Sequence, residues 1–237
     1  MKEELADLLC PSFYKFIELC APQTDPAPGQ LIWAHTVYPP NDPLIVKVLS
    51  YNAADPSRSR YEIKRFAKGD QSHFPIPEAQ LTFDENYYIY IGKERPLVVV
   101  GAIKSRWLNP LKDENLFLCA PVFRFKPKHS DEFKVKCLAF AYPNLFYLPS
   151  DANGCAEPGV IRFELIQPIS RKALRNFLSG DTLSPVALSD EAFPLFMNHL
   201  ARWLFKRDLD TVVCQQIDTY KEIVLEELAK QTKSGPS

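Results

Sequence analysis

Arg95-Pro96-Leu97-Val98-Val99-Val100 is the segment that most restricts what this chain can become. A continuous run of leucine and valine opened by a proline reads as a strand buried on both faces, because a half-exposed strand alternates apolar with polar. Two more short apolar runs flank it: Gly29-Gln30-Leu31-Ile32-Trp33 before, and Leu118-Cys119-Ala120-Pro121 after. The chain has 21 prolines and only 8 glycines, and many of the prolines (Pro39, Pro40, Pro43, Pro75, Pro77, Pro110, Pro127, Pro143 and Pro149) fall between apolar runs. Turns and edges punctuate short strands in this way; helices are not built so.

From Gly29 to about Leu178 the pattern predicts strands at Leu31–Tyr38, Leu44–Tyr51, Arg60–Phe66, Tyr87–Ile91, Leu97–Ile103, Asn115–Phe123, Phe133–Ala141 and Val160–Ile166. Ahead of this region Leu5, Leu8, Leu9, Phe13, Phe16 and Ile17 have helical spacing, with Pro11 kinking or splitting the helix and Ser12 able to cap a new start. Beyond it, Ser189 can cap a helix with Asp190 and Glu191 in its first turn and Phe193, Phe196, Met197, Leu200, Trp203 and Leu204 as its apolar stripe. A second stripe holds Val213, Ile217, Tyr220, Val224 and Leu228, and the polar tail Gln231–Ser237 should fray. The expected organisation is a helical segment and linker over 1–24, a β domain over 25–180, and a helical extension over 181–237 packed on it.

Formal net charge is −1, so no global field draws in nucleic acid and any such binding needs a local patch. No apolar run nears the roughly 20 residues that span a bilayer, and Met1-Lys2-Glu3-Glu4 does not open a secretory signal, so the expected location is cytoplasmic and no membrane partner is expected. The cysteines Cys10, Cys20, Cys119, Cys137, Cys155 and Cys214 form no Cys-x-x-Cys, and none has a histidine at metal-ligand spacing. They read as reduced, structural thiols. His35, His73 and His129 are scattered, and no Gly-rich phosphate loop or serine elbow occurs, so neither metal nor cofactor is expected.

Taken in order, the runs at Gly29, Arg95 and Leu118, followed by Val160-Ile161-Arg162-Phe163-Glu164 and Ile169-Ser170, resemble the core strands of the MazF/PemK family of toxin endoribonucleases. The resemblance covers about 100 residues, discontinuously. It implies an α+β, mainly β fold: an SH3-like small β-barrel of MazF/PemK type with a long insertion, an N-terminal helix and two C-terminal helices. Between Trp33 and Arg95 the chain is much longer than the short loop of a compact family member, which marks an insertion at about 40–90. The resemblance further implies metal-independent cleavage of single-stranded RNA by 2′-hydroxyl attack, a homodimer with RNA across its groove, and a small antitoxin that blocks the groove.

Three residues then carry the chemistry. On the residues alone, Arg95 reads as a strand-end surface arginine paired with Glu94 or Glu85; Pro96 holds it extended, and in the family the matching arginine binds the scissile phosphate. Arg162 and Glu164, two apart on a predicted strand, share a face and offer a charge stabiliser beside a base, or else a plain ion pair. Phe123 stands where the family carries a hydroxyl residue, and it can stack on a base but cannot shuttle a proton. Trp33, Phe123, Arg124, Lys104 and Arg106 are the candidate RNA contacts, with Lys126 and Lys128 nearby and Arg58, Arg60, Lys64, Arg65 and Lys68 in the insertion among the aromatics Tyr38, Phe66, Tyr87, Tyr88 and Tyr90. Three function classes are open on this reading: a nuclease, a catalytically silent module that binds RNA or protein, and a structural scaffold.

Overall fold

A computed structural model describes residues 9–18, 25–38, 44–50, 52, 54–65, 67, 88–103, 115–151, 155, 157–174 and 185–233. It is an α+β structure of mostly antiparallel strands with three α-helices among the described residues. The strands are β1 (Tyr14–Phe16), β2 (Leu31–Tyr38), β3 (Leu44–Ser50), β4 (Arg60–Arg65), β5 (Tyr88–Ile89), β6 (Ile91–Ile103), β7 (Leu116–Arg124), β8 (Leu145–Leu148), β9 (Gly159–Arg162), β10 (Gln167–Ser170) and β11 (Val186–Leu188). The helices are α1 (Asp131–Leu138), α2 (Ala192–Phe205) and α3 (Thr211–Lys233). The chain divides into two compact units, one of Met1–His35 with Glu94–Ser237 and one of Thr36–Lys93.

In the first unit the main sheet runs β2-β6-β7-β9-β8, with β10 also on β7. Among the described residues no ladder closes it into a barrel. Both of its faces are buried. Leu31, Val98, Ala120, Val122 and Ile161 point into a large core completed by Phe146, Phe163, Phe196, Ile217 and Val224. Ile32, Ala34, Leu97, Val99, Phe117, Cys119 and Ile169 point into a smaller one. The unbroken apolar run at Leu97–Val99 is therefore a strand feeding alternate residues to two cores.

The start of β2 is fixed by Pro28-Gly29. Gln30 N–H donates to Ala27 O at 3.1 Å, which closes a turn with Pro28 and Gly29 at its centre. Gly29 N–H donates to Val99 O at 2.7 Å while Val99 N–H donates to Gln30 O at 3.0 Å, so two residues oppose one in a β-bulge. The bulge needs a left-handed residue, and Gly29 has φ +83°; a Cβ there would also meet Phe193 Cδ2 at 3.1 Å.

Three expectations are corrected. The segment predicted as the end of an N-terminal helix is β1, antiparallel to β11 with Tyr14 opposite Leu188 and Phe16 opposite Val186. Pro11 stops any helix there, and the backbone of Tyr14–Phe16 pairs with β11 instead. The segment predicted as a strand at Phe133–Ala141 is α1. Phe133, Val135 and Cys137 mimic a period of two, but Ser130 Oγ accepts the Phe133 N–H at 3.2 Å, and Asp131 and Glu132 occupy the first turn. The strand predicted over Val160–Ile166 ends at Arg162, and a 3-10 turn at Phe163–Leu165 comes next before β10 resumes on β7. Only Ala120 and Pro121 of β7 span the gap that Arg162–Ile166 crosses opposite them. Pro121 has no N–H for the ladder, and the break falls there.

The C-terminal helices form as expected. Ser189 Oγ accepts the Ala192 N–H at 3.0 Å and Ser189 O accepts the Phe193 N–H at 3.0 Å, although Asp190 and Glu191 precede the helix rather than open it. Leu204 lies outside the buried stripe, being 49% exposed. Arg202 ties α2 to the next turn and to α3, bonding Asp208 at 2.7 Å and Asp218 twice at 2.8 Å. Helix α3 continues to Lys233, through part of the tail predicted to fray.

The second unit carries the sheet β4-β3-β5, with Val46 opposite Ile63 and Val48 opposite Tyr61. Thr36 Oγ1 donates to Lys93 O at 2.9 Å, so the two ends of this unit lie side by side. Phe66, Lys68, His73 and Tyr87 lie outside the described residues, as do Cys20 and the first eight residues of the expected N-terminal helix.

Candidate functional site

Extending the β6–β7 register from the Leu97–Pro121 pair by two places sets Arg95, on the side of β6 that carries Leu97 and Val99, opposite Phe123, whose ring packs against the large core. Pro96 keeps Arg95 extended at that point. The Arg95 guanidinium carbon sits over the Phe123 ring, 4.3 Å from its centroid. Arg162, from the end of β9, brings its own guanidinium carbon to 5.2 Å from the same centroid. Each cation–π contact of this kind contributes about 0.5–1 kcal/mol where water reaches it. One phenyl ring thus gathers two permanent cations.

Glu164 fixes the second of them. Its Oε1 accepts from Arg162 Nε at 2.8 Å and from Nη2 at 2.6 Å, and its Oε2 accepts from Asn144 Nδ2 at 3.1 Å. The 3-10 turn makes this possible by folding Glu164 back toward Arg162. Asn144 is held in turn by the ladder, for its carbonyl accepts the Phe163 N–H at 3.0 Å. Partial burial pushes the Glu164 carboxyl up, but its own backbone N–H, Arg162 and Asn144 all donate to it and the Arg162 charge adds, leaving it below the usual range. Such a carboxylate is ionised at neutral pH and is a weak base. The site stays open to solvent, with the Arg162 and Glu164 side chains 42% and 32% exposed.

Compared with family models, curated proteins and solved structures, the chain matches none. The site therefore stands on its own geometry.

Of the residues expected to act, the structure brings Arg95, Phe123, Arg162 and Glu164 together. Trp33 does not join them: it is out of phase with Ile32 and Ala34, so it faces away from the side of the sheet that carries Arg95. Arg124 also points to the opposite face from Phe123 and pairs with Glu157 at 3.4 Å. Lys104 and Arg106 lie outside the described residues. Arg58, Arg60, Lys64 and Arg65 belong to the other unit, where Arg58 pairs with Asp55 at 3.0 Å.

Asn144 is the site residue that sequence reasoning missed. It is remote in sequence from Arg162 and Glu164, and only the pairing of β8 with β9 brings it near. Among the described residues no group of three or more His, Cys, Asp or Glu is placed to hold a metal ion. The described cysteines are buried thiols, and burial pushes Cys119 and Cys137 up to about 12, far from nucleophilic use. Among the described residues no helix is long and apolar enough to cross a membrane.

Proposed function

We propose that this chain binds single-stranded RNA at the Arg95–Phe123–Arg162 site, as a module that grips a backbone phosphate without cutting it. Two guanidinium groups gathered on one ring carry the reading. Guanidinium is the side-chain group best matched to phosphate, because its planar fork donates two parallel hydrogen bonds. Glu164 turns the Nε–Nη2 edge of Arg162 toward itself, and among the described residues no hydrogen bond is made by Nη1 on a side chain that is 42% exposed. The carboxylate is thereby a positioning group for Arg162. Phe123 fixes the spacing of the two cations.

A second reading keeps the chemistry that the family resemblance implies. Glu164 is ionised and beside a cation, so it would take the 2′-hydroxyl proton of RNA while Arg95 and Arg162 stabilise the phosphorane, in an SH3-like barrel that dimerises and is blocked by a small antitoxin. Its low basicity and its full set of donors weigh against that role. Incubation of the purified protein with labelled single-stranded RNA in EDTA separates the two. Binding that leaves the RNA intact and is lost in an Arg95→Gln, Arg162→Gln variant supports the first reading. Cyclic-phosphate products, absent with Glu164→Gln, support the second. No binding by the wild-type protein refutes both.

A further inference from the structure

Past Phe123 the chain continues Arg124-Phe125-Lys126-Pro127-Lys128-His129. Lys126–His129 is a tight turn, closed by His129 N–H donating to Lys126 O at 2.9 Å. Lys126 N–H donates to His129 Nδ1 at 3.2 Å, so the imidazole caps its own turn. The imidazole is anchored in its turn, edge-on to Phe125 at 6.1 Å and to Phe133 at 5.2 Å, while Phe125 stacks on Tyr147 at 6.2 Å. The backbone of the turn is held by aromatic packing, and Lys126 and Lys128 stand exposed on it.

Asp131 and Glu132 on α1 are bonded to Lys134 at 3.1 Å and Lys136 at 2.6 Å, and Glu157 faces Arg124. Among the described residues no carboxylate lies within ion-pair distance of Lys126 or Lys128. Two ammonium groups on a fixed turn suit a partner that offers repeated negative charge, as a phosphodiester backbone does. The turn lies three residues beyond Phe123, at most about 10 Å along the chain, within the length of a strand of about four nucleotides.

We propose that the Lys126–Lys128 turn is a second phosphate contact, engaged by the same single-stranded RNA that the Arg95–Arg162 pair holds. The proposal rests on the reading of that pair as an RNA site. Fluorescence anisotropy with a short labelled oligouridylate, followed across a salt series, tests it with wild type, a Lys126→Gln, Lys128→Gln variant and an Arg95→Gln, Arg162→Gln variant. Losing two phosphate contacts should lower the slope of log affinity against log salt by about 1.4 and weaken binding about 25-fold near 0.1 M salt. Circular dichroism should be unchanged, since both lysines are exposed. If the lysine variant keeps the wild-type slope while the arginine variant loses binding, the turn is overturned and the arginine site stands. No binding by wild type overturns the arginine site and the turn with it. Binding of poly-glutamate as tightly as RNA overturns RNA as the partner of the turn.

Discussion

Acidification singles out His199, which sits on α2 with its ring buried among Phe140, Phe146 and Phe163 at centroid distances of 5.4, 6.3 and 5.6 Å. Its Nε2 lies 3.0 Å from Leu145 O and 3.2 Å from Tyr142 O, so it is the donor that holds the turn between α1 and β8. Burial disfavours the charged ring, the two carbonyls oppose that more weakly, and Arg202 and Lys221 add repulsion; the result is pushed down from 6.5 to about 4. The folded protein thus binds this proton more weakly than the unfolded chain. Stability owed to the neutral ring is fully present above about pH 6.5 and is lost as the pH falls toward 4.

Between about pH 7 and about pH 4.5 the loss comes to about 2.5 kcal/mol, a large part of the 5–15 kcal/mol that holds a typical domain folded. Carboxylates held low, such as Glu164, lose their contribution chiefly below 4.5, and the buried thiols are pushed up from 9.0, so the window belongs mainly to His199. Urea titrations followed by tryptophan fluorescence at several pH values in this range, on wild type and His199→Gln, give the test. Wild type should lose about 2.5 kcal/mol more than the variant across the window. Parallel pH profiles for the two proteins would refute the reasoning.

Further outcomes are expected from packing and from the site. Gly29→Ala forces a Cβ into a left-handed residue and against Phe193, so it should cost about 1–2 kcal/mol or more by chemical denaturation. Phe196→Ala, at a fully buried ring edge-on to Phe146 and Phe163, should cost about 3–5 kcal/mol. Gly159→Ala would bring a Cβ to 2.6 Å from Phe123 O and should both destabilise by about 1–3 kcal/mol and weaken the RNA binding proposed for the Phe123 site, because the strand that carries Phe123 must move. Asn144→Ala removes one donor from Glu164, so the Glu164 carboxyl should titrate at higher pH in an NMR titration.

The strands visible in the sequence were those whose pattern has one interpretation. Leu31–Tyr38 matches β2 residue for residue, and the apolar run at Leu97 lies within β6. Short segments were ambiguous: Phe133, Val135 and Cys137 satisfied a strand period while Ser130 capped a helix, and Tyr14–Phe16 was too brief to show its alternation. The association of Arg162 with Glu164 was legible as two positions on a strand, yet the bond forms through a 3-10 turn that Pro121, on another strand, accommodates. Local spacing therefore placed the pair correctly for a partly mistaken reason. The approach of Arg95 to Phe123 and of Asn144 to Glu164 depends on ladder registers set far away in sequence, which no local pattern encodes.

The hydrogen bond from Thr36 to Lys93 makes the second unit a cassette whose two ends lie side by side. Those ends lie within the neighbouring strands β2 and β6, so a short hairpin turn in place of the segment between them should keep the two strands in register. The same geometry bears on the order of folding. If the cassette forms first, the loop that must close before Gly29 and Gln30 reach Val99 shrinks from the full insert to a few residues, easing that closure by about 2 kcal/mol.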